Sequence, residues 1–417
     1  MKKLQLLSFM LVALLGLTVL SSCEDDDDDD NNDTNANVVS GSITSDVTWT
    51  ADQIWTMDGR VIVEGGATLT IDPGTIIKAK AGTGSLASAL IIAKDGKIDA
   101  RGTSSEPIIF TSETDNIQIG ETVGTNLDPE TSRGFWGGVI ILGDAPISPS
   151  SGSTAQIEGI PTSVAAGNYG GSNNGHDAGF FQYVSIRHGG ALFGPGNEIN
   201  GLTLGGVGNG TTIDHIEVVG NIDDGIEWFG GSVDCSDLMV LYQGDDAFDV
   251  DQSFAGNVTN LAYIAGGDSD HSFEIDGPEG STNAALAANA SFSNGKFKGN
   301  EDSGEFADFR DGAAGSFSDF LFFGYGEDAD VELDDDDASS NANDGTLTMT
   351  GWTIDTTGMG SPSLMDIAAD KADSPSGDFD TYFSTNNNIG TTGGGAFDKS
   401  QFTGWTLADQ NSLLGDF

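Results

Sequence analysis

The residues best equipped for chemistry in this chain are carboxylates, and they recur in one short pattern. Asn221-Ile222-Asp223-Asp224-Gly225-Ile226-Glu227-Trp228, Gly244-Asp245-Asp246-Ala247-Phe248-Asp249-Val250-Asp251 and Ser269-Asp270-His271-Ser272-Phe273-Glu274-Ile275-Asp276 are three copies of it. Each copy opens on a polar pair, passes a small residue, and ends on apolar residues alternating with carboxylates. The copies begin at Asp223, Asp245 and Asp270, spaced 22 and then 25 residues apart. Asp223, Asp224, Asp245, Asp246, Asp249, Asp251, Asp268, Asp270, Glu274 and Asp276 thus supply hard oxygen donors. Ca2+ takes six to eight such oxygens at about 2.3–2.6 Å, and crowded carboxylates repel unless a cation or proton stands between them. The chemistry first expected is therefore divalent-cation binding, with Ca2+ the ion that fits. The signal is compositional, since neither an EF-hand loop nor a glycine-rich calcium nonapeptide occurs. The plainer alternative is a solvated acidic face that keeps the protein soluble and monomeric.

A period in the twenties of residues, with short apolar runs and glycine-rich turns, points to a solenoid. Ile226-Glu227-Trp228, Phe248-Asp249-Val250 and Phe273-Glu274-Ile275 alternate apolar and acidic, the period of a strand with one buried face. Phe248 and Ile275 should point inward, Asp249 and Glu274 outward. Stacked coils lie about 4.8 Å apart, so matching carboxylates form a ladder on an outer face. Leu69-Thr70-Ile71, Ile76-Ile77-Lys78, Leu90-Ile91-Ile92, Ile98-Asp99-Ala100 and Ile108-Ile109-Phe110 continue the short runs toward the N-terminus, each bounded by Gly, Pro, Asp or Ser. Leu238-Met239-Val240 and Leu261-Ala262-Tyr263 are intervening strands, and Phe317, Phe320, Phe322 and Phe323 suggest an aromatic stack in a later coil. No helical window long enough for a βαβ crossover separates the runs, and they are too short for a sandwich. The fold expected is all-β: a single right-handed parallel β-helix over residues 41–357. Loops leave it at 115–133 and 148–174, and an irregular capping region spans 358–417.

Fifteen basic against 65 acidic residues give a formal charge of −50. Such a surface repels nucleic acid and attracts divalent cations. Residues 1–22 read as a signal peptide: Lys2 and Lys3, then an apolar run to Leu20 too short to span a bilayer. Leu20-Ser21-Ser22-Cys23 resembles a bacterial lipobox, which implies lipidation of Cys23. Residues 23–40 form an acidic tether, and the run Asp25 to Asp30 resembles the export signal of surface lipoproteins of the Bacteroidota. The expected location is the outer membrane, lipid-anchored at the cell surface. Cys235 is the only other cysteine, so with Cys23 acylated no intramolecular disulfide forms.

The mature chain resembles a family of Bacteroidota β-helix surface lipoproteins. The resemblance rests on Trp49-Thr50-Ala51-Asp52, Asp58-Gly59-Arg60-Val61, Leu69-Thr70-Ile71-Asp72-Pro73-Gly74-Thr75, Trp136-Gly137-Gly138, Ser185-Ile186-Arg187-His188-Gly189-Gly190 and Phe273 through Gly280. It implies fold and location more than activity. A local resemblance to polygalacturonase-type glycoside hydrolases lies in Asn221-Ile222-Asp223, Asp245-Asp246 and His271 on successive coils. It implies Asp223 with Asp245 or Asp246 as a catalytic carboxylate pair and His271 as an orienting neighbour. Inversion requires those carboxyls about 6.5–9.5 Å apart. The chain departs from that pattern: Asp224 replaces a glycine, Asp270-His271-Ser272 lacks both flanking glycines, and Phe309-Arg310-Asp311 offers no lysine. Arg187-His188 is a further basic pair of the lyase kind, or simply a strand end at Gly189-Gly190. His176 reads as a loop residue, His215 as a surface strand residue and Cys235 as an inert interior thiol. Trp49, Trp55, Trp136 and Trp228 could stack on sugar rings. The function expected is binding of an extended extracellular polymer, a glycan, or surface adhesion by a monomer. Polysaccharide cleavage and a structural role in a surface complex are the alternatives.

Overall fold

The computed structural model describes residues 37–192 and 199–417. The signal-like segment, Cys23 and the acidic run of the tether lie outside the described residues. Within them, 25 strands join in one continuous, wholly parallel sheet that winds into a β-helix. The short strands make it so. Strands of two to five residues cover one side of a coil, and the longer strands bend across two sides.

The first of three ladders stacks Leu202–Gly205, Ile226–Phe229, Phe248–Asp251, Phe273–Asp276, Ala307–Arg310 and Val331–Leu333. Its register places Ile226, Phe248 and Phe273 in one column and Glu227, Asp249, Glu274, Asp308 and Glu332 in another. The other two ladders are the halves of longer strands, such as Thr212–Val219, Cys235–Leu241, Asn257–Ile264, Ser291–Lys298 and Gly315–Phe323. Each long strand turns a corner at one left-handed residue: His215 (φ 54°), Asp237 (59°), Asn260 (60°), Asn294 (60°) and Asp319 (61°). That conformation disfavours most side chains and is least costly for Asn and Asp.

The interior is dry and increasingly aromatic toward the C-terminal coils. Phe248, Phe273, Phe292, Phe297, Phe309, Phe317, Phe320 and Phe322 are fully buried, and Ile275 is nearly so. Phe273 is the hub, with its ring centroid 5.2–5.8 Å from those of Phe248, Phe292, Phe297, Phe317 and Phe320. Phe323, expected in the same stack, instead points out of the coil and packs on Phe417, because it follows Phe322 on a strand whose side chains alternate.

The coils begin at Val38–Ile43 and run on past residue 357, through Ala368–Asp370 and Asn388–Ile389. Helices Leu364–Ile367 and Phe379–Asn386 close this end, with Phe383 against Trp352. The last residues, 394–417, are not part of a terminal cap. They double back along the flank as a strap. Ala396 N donates to Asn294 Oδ1 and Asp398 N to Asn260 Oδ1, both at 2.8 Å, so the strap is tied to the corner residues. Further on, Leu407 N and Ala408 N donate to the buried carboxylate of Glu217 at 3.0 Å. Phe402, Trp405, Leu407 and Leu414 cover Val219, Met239, Leu241, Ala262 and Ile264, which face outward from the long strands.

Phe273→Ala removes the ring that five others contact, and should lower unfolding free energy by about 3–5 kcal/mol. Phe323→Ala, which removes only a contact under the chain terminus, should cost well under half of that. Urea denaturation of both variants checks the ranking, and equal losses would mean the interior is assigned to the wrong strand face.

Candidate functional site

The outer side of the first ladder changes character along the stack. One row runs Ile91, Ile140, Thr203, then Glu227, Asp249, Glu274, Asp308 and Glu332. Its first members, Ile91 and Ile140, together with Leu142 and Phe229, are apolar and lie under an excursion carrying Ile147, Ile157, Ile160 and Tyr169. From Glu227 to Glu332 the row is all carboxylate. A second row carries Asp251, Asp276 and Arg310, the last two in register. The turn before each strand adds a third: Asp246 N donates to Asp224 Oδ1, His271 N donates to Asp246 Oδ1, and His271 bridges to Glu305. Asn200, on the coil below, reaches Glu227 with its side-chain amide.

Few basic groups enter this field. Arg310 donates to both oxygens of Asp276, at 2.7 and 3.0 Å, and pairs with Glu274. Lys371 pairs with Glu332. His271 places Nδ1 2.9 Å from Asp246 Oδ1, with Asp270 Oδ1 3.8 Å away, and its Nε2 lies 3.8 Å from Glu305 Oε2. Several carboxylates are left over, and three of them cluster. Asp224, Glu227 and Asp249 are 7 %, 4 % and 7 % exposed, and one oxygen of each lies within 4.8 Å of the others. No Lys, Arg or His among the described residues pairs with any of the three, and Asp249 Oδ1, buried, has no hydrogen-bond partner. Buried charge without a counter-charge is costly, so this triad calls for a cation or for protons.

Electrostatics says the same. Burial, reinforced by Asp249, pushes the carboxyls of Asp224 and Glu227 well above the usual range, and burial with Asp251 does so for Asp249. Burial and Asp276 raise Asp251 to about 7, and burial and Asp246 raise Glu274 to about 9. Burial lifts Glu305 to about 7 and Asp245 and Asp308 to about 6. His271 moves up to about 10: burial opposes its charge, but the hydrogen bond and charge of Asp246 together with the charges of Asp270 and Asp308 outweigh that.

The structure brings Asp223, Asp224 and Asp245 together, with oxygens within 4.8 Å. That is closer than the separation that admits a water between an inverting pair. Asp246 is 2 % exposed and spent on the backbone and ring of His271, so it faces no substrate. Asp249, expected to face solvent, does leave the coil outward but into the covered triad. Asp268 stands apart, paired with Arg133. Arg187 and His188 lie on another ladder, 1 % and 2 % exposed. They edge a cavity of about 560 Å³ with Asp115, Asp128 and Leu407. Arg187 Nε donates to Ser185 Oγ and its Nη1 to Thr122 O. His176 is tied to Lys94 O, and His215 lies stacked on Tyr183 under the strap, not on the surface. Burial pushes the Cys235 thiol up to about 12, in keeping with an inert group. All six tryptophans are buried, so Trp49, Trp55, Trp136 and Trp228 cannot stack on a sugar. Glu227, Glu305, Asp308, Arg310, Asp330 and Glu332 also belong to the acidic face, beyond the site residues expected from the sequence. Their alternation was visible in Ala307-Asp308-Phe309-Arg310 and Asp330-Val331-Glu332-Leu333, yet the step from Asp276 to Arg310 is 34 residues and masks the period.

Residues 41–407 match the family model of the pectate-lyase-like β-helix domain. The chain belongs to that family. Comparison with curated proteins and with solved structures finds no match.

The raised carboxyls fix the sign of the pH dependence. Each binds its proton more tightly folded than unfolded, so its ionisation destabilises the fold as pH rises from about 4 through the raised values. His271 acts in the same direction, its contribution being full below about 6.5 and lost as pH rises through about 10. With divalent ions chelated, the melting temperature should fall steadily from pH 5 to pH 8. Saturating Ca2+ should flatten that slope, and a melting temperature that rises over the range in chelator would contradict the burial of this face.

Proposed function

We propose that the protein binds an anionic extracellular polysaccharide along its acidic flank, through divalent cations, with Ca2+ the ion of choice. The observation that carries this reading is the in-register field of carboxylates, which outnumbers the basic groups set into it. The family is one whose fold fits a polysaccharide-related role. Two further features support binding through ions. Among the described residues the exposed large apolar side chains are Leu86, Ile119, Leu192, Met365 and Ile389, none of them aromatic, so no fully exposed ring is offered for sugar stacking. Asp251, Asp276, Glu279, Asp311, Asp335, Asp336 and Asp337 line an open groove of about 640 Å³ beside the triad. A polyanion enters such a groove only with cations between the two. Asp224, Glu227 and Asp249 fit one ion by donor chemistry, since all are hard oxygens and Asp249 Oδ1 lacks a partner. The closeness of Asp223 and Asp245 argues against their use as an inverting pair.

Affinity electrophoresis through gels holding polygalacturonate, alginate or a neutral glucan tests the reading. Retardation by the two polyuronates should require Ca2+, vanish in EDTA, and fall in Asp251→Asn and Asp276→Asn. Retardation unchanged in EDTA would overturn it, and shortening of the polymer would move the reading to cleavage.

The same reading places the protein at the cell surface on an acyl anchor at Cys23. Wild type should fractionate with membranes and be digested by protease added to intact cells, whereas Cys23→Ala should appear in the soluble fraction. A Cys23→Ala variant that stays with the membrane would rule the anchor out.

A further inference from the structure

His271 is the one nitrogen ligand set among the three carboxylate rows, and its surroundings differ from those of the oxygen-only triad. Asp246, almost wholly buried, accepts from both the backbone N–H and the ring Nδ1 of His271 at 2.7 and 2.9 Å. A carboxylate on one imidazole nitrogen fixes the tautomer and aims the other nitrogen, the arrangement found behind metal-bound histidines; an entering ion takes the place of the proton that His271 otherwise holds on that nitrogen. The other nitrogen, Nε2, faces Glu305 Oε2 at 3.8 Å. That is too long for a hydrogen bond and close to the roughly 3.4 Å between two ligands of a tetrahedral ion with bonds of about 2.0–2.1 Å. One atom each of Asp270, His271 and Glu305 lie within 4.8 Å of one another. Asp270 is the exposed member, so the cluster opens to solvent. A neighbouring buried carboxyl also lacks a partner. Asp308, on the coil of Glu305 and close enough to act on the charge of His271, is 6 % exposed with Oδ1 lacking any hydrogen-bond partner.

We propose that His271, Glu305 and Asp270 form a site for a borderline transition ion, Zn2+ foremost, separate from the hard-ion triad of Asp224, Glu227 and Asp249. Imidazole suits Zn2+ and its neighbours, whereas carboxylate-only sites suit Ca2+ and Mg2+. Three protein ligands with one side open to solvent leave a position for water or a ligand oxygen.

The site does not depend on the polymer reading, and the test keeps the two apart. Full-length protein stripped with chelator and resaturated with excess Ca2+ is titrated with Zn2+ by calorimetry and with Co2+ by visible absorption. Wild type should take up one Zn2+ in the presence of Ca2+ and show Co2+ bands of a nitrogen–oxygen site. His271→Gln should weaken Zn2+ binding about tenfold or more, remove those bands and leave the Ca2+-dependent rise in melting temperature. Asp270→Asn, an exposed change that keeps the fold, should weaken Zn2+ as well, and gives the answer if His271→Gln fails to fold. Zn2+ affinity equal in wild type and variants, or no Zn2+ uptake beside Ca2+, would overturn the proposal. Loss of the Ca2+ response alone would count against the triad and not against this site.

Discussion

In-register parallel stacking governs this molecule: every residue sits about 4.8 Å above its counterpart on the coil below. For Phe248 and Phe273 that rule builds an unbroken apolar column. At the corners it superposes Asn260 on Asp237, whose side chains hydrogen-bond at 2.6 Å. For carboxylates the rule is hostile. Two like charges at that separation repel by about 3 kcal/mol even at an effective dielectric near 20. The rows from Asp224 to Glu332 repeat this arrangement on successive coils, so the face exists only by offsetting it.

The offsets are spaced along the stack. Arg310 spans Glu274 and Asp276, Lys371 reaches Glu332, and His271 is held by Asp246. His271 stands between Asp246 and Glu305 on the coils to either side, whereas Arg310 meets two carboxylates of one neighbouring strand and Lys371 meets one. The early end of the ladder avoids the problem by being apolar and roofed by the excursion that carries Tyr169. Between roof and cations lies the stretch with neither, at Asp224, Glu227 and Asp249. There the repulsion is relieved only by protons or by an ion from outside.

Much of this was legible in the sequence, because a solenoid writes its geometry as a period. The superposition of Asp223, Asp245 and Asp270 matches the observed register of Ile226, Phe248 and Phe273 three residues on. The inward direction of Phe248 and Ile275 followed from alternation alone. Alternation reports the side of a strand, however, and not what lies over it. Asp249 is on the outer side and still buried, and the tryptophans offered to sugars are all inside. Glu305 and Asp308 escaped notice because a longer turn precedes their coil. The strap escaped for a different reason: its partners are 138 and 190 residues away, at Asn260 and Glu217. No local pattern announces such a pairing, although the unbroken apolar run Leu238-Met239-Val240-Leu241 shows that both faces of that strand need cover.

A bare solenoid is a linear array, in which each coil leans only on its neighbours and the end coils can peel away in turn. The strap joins the chain's last residues to coils in the middle of the stack, seating Leu407 and Ala408 on Glu217. The array thereby becomes a loop closed upon itself. The seat on Glu217 can be taken only after every coil between has wound, so completion of the fold is registered at one buried carboxylate. Unwinding from the C-terminal end must likewise first pull the strap from that seat, which trades gradual fraying for a single concerted step.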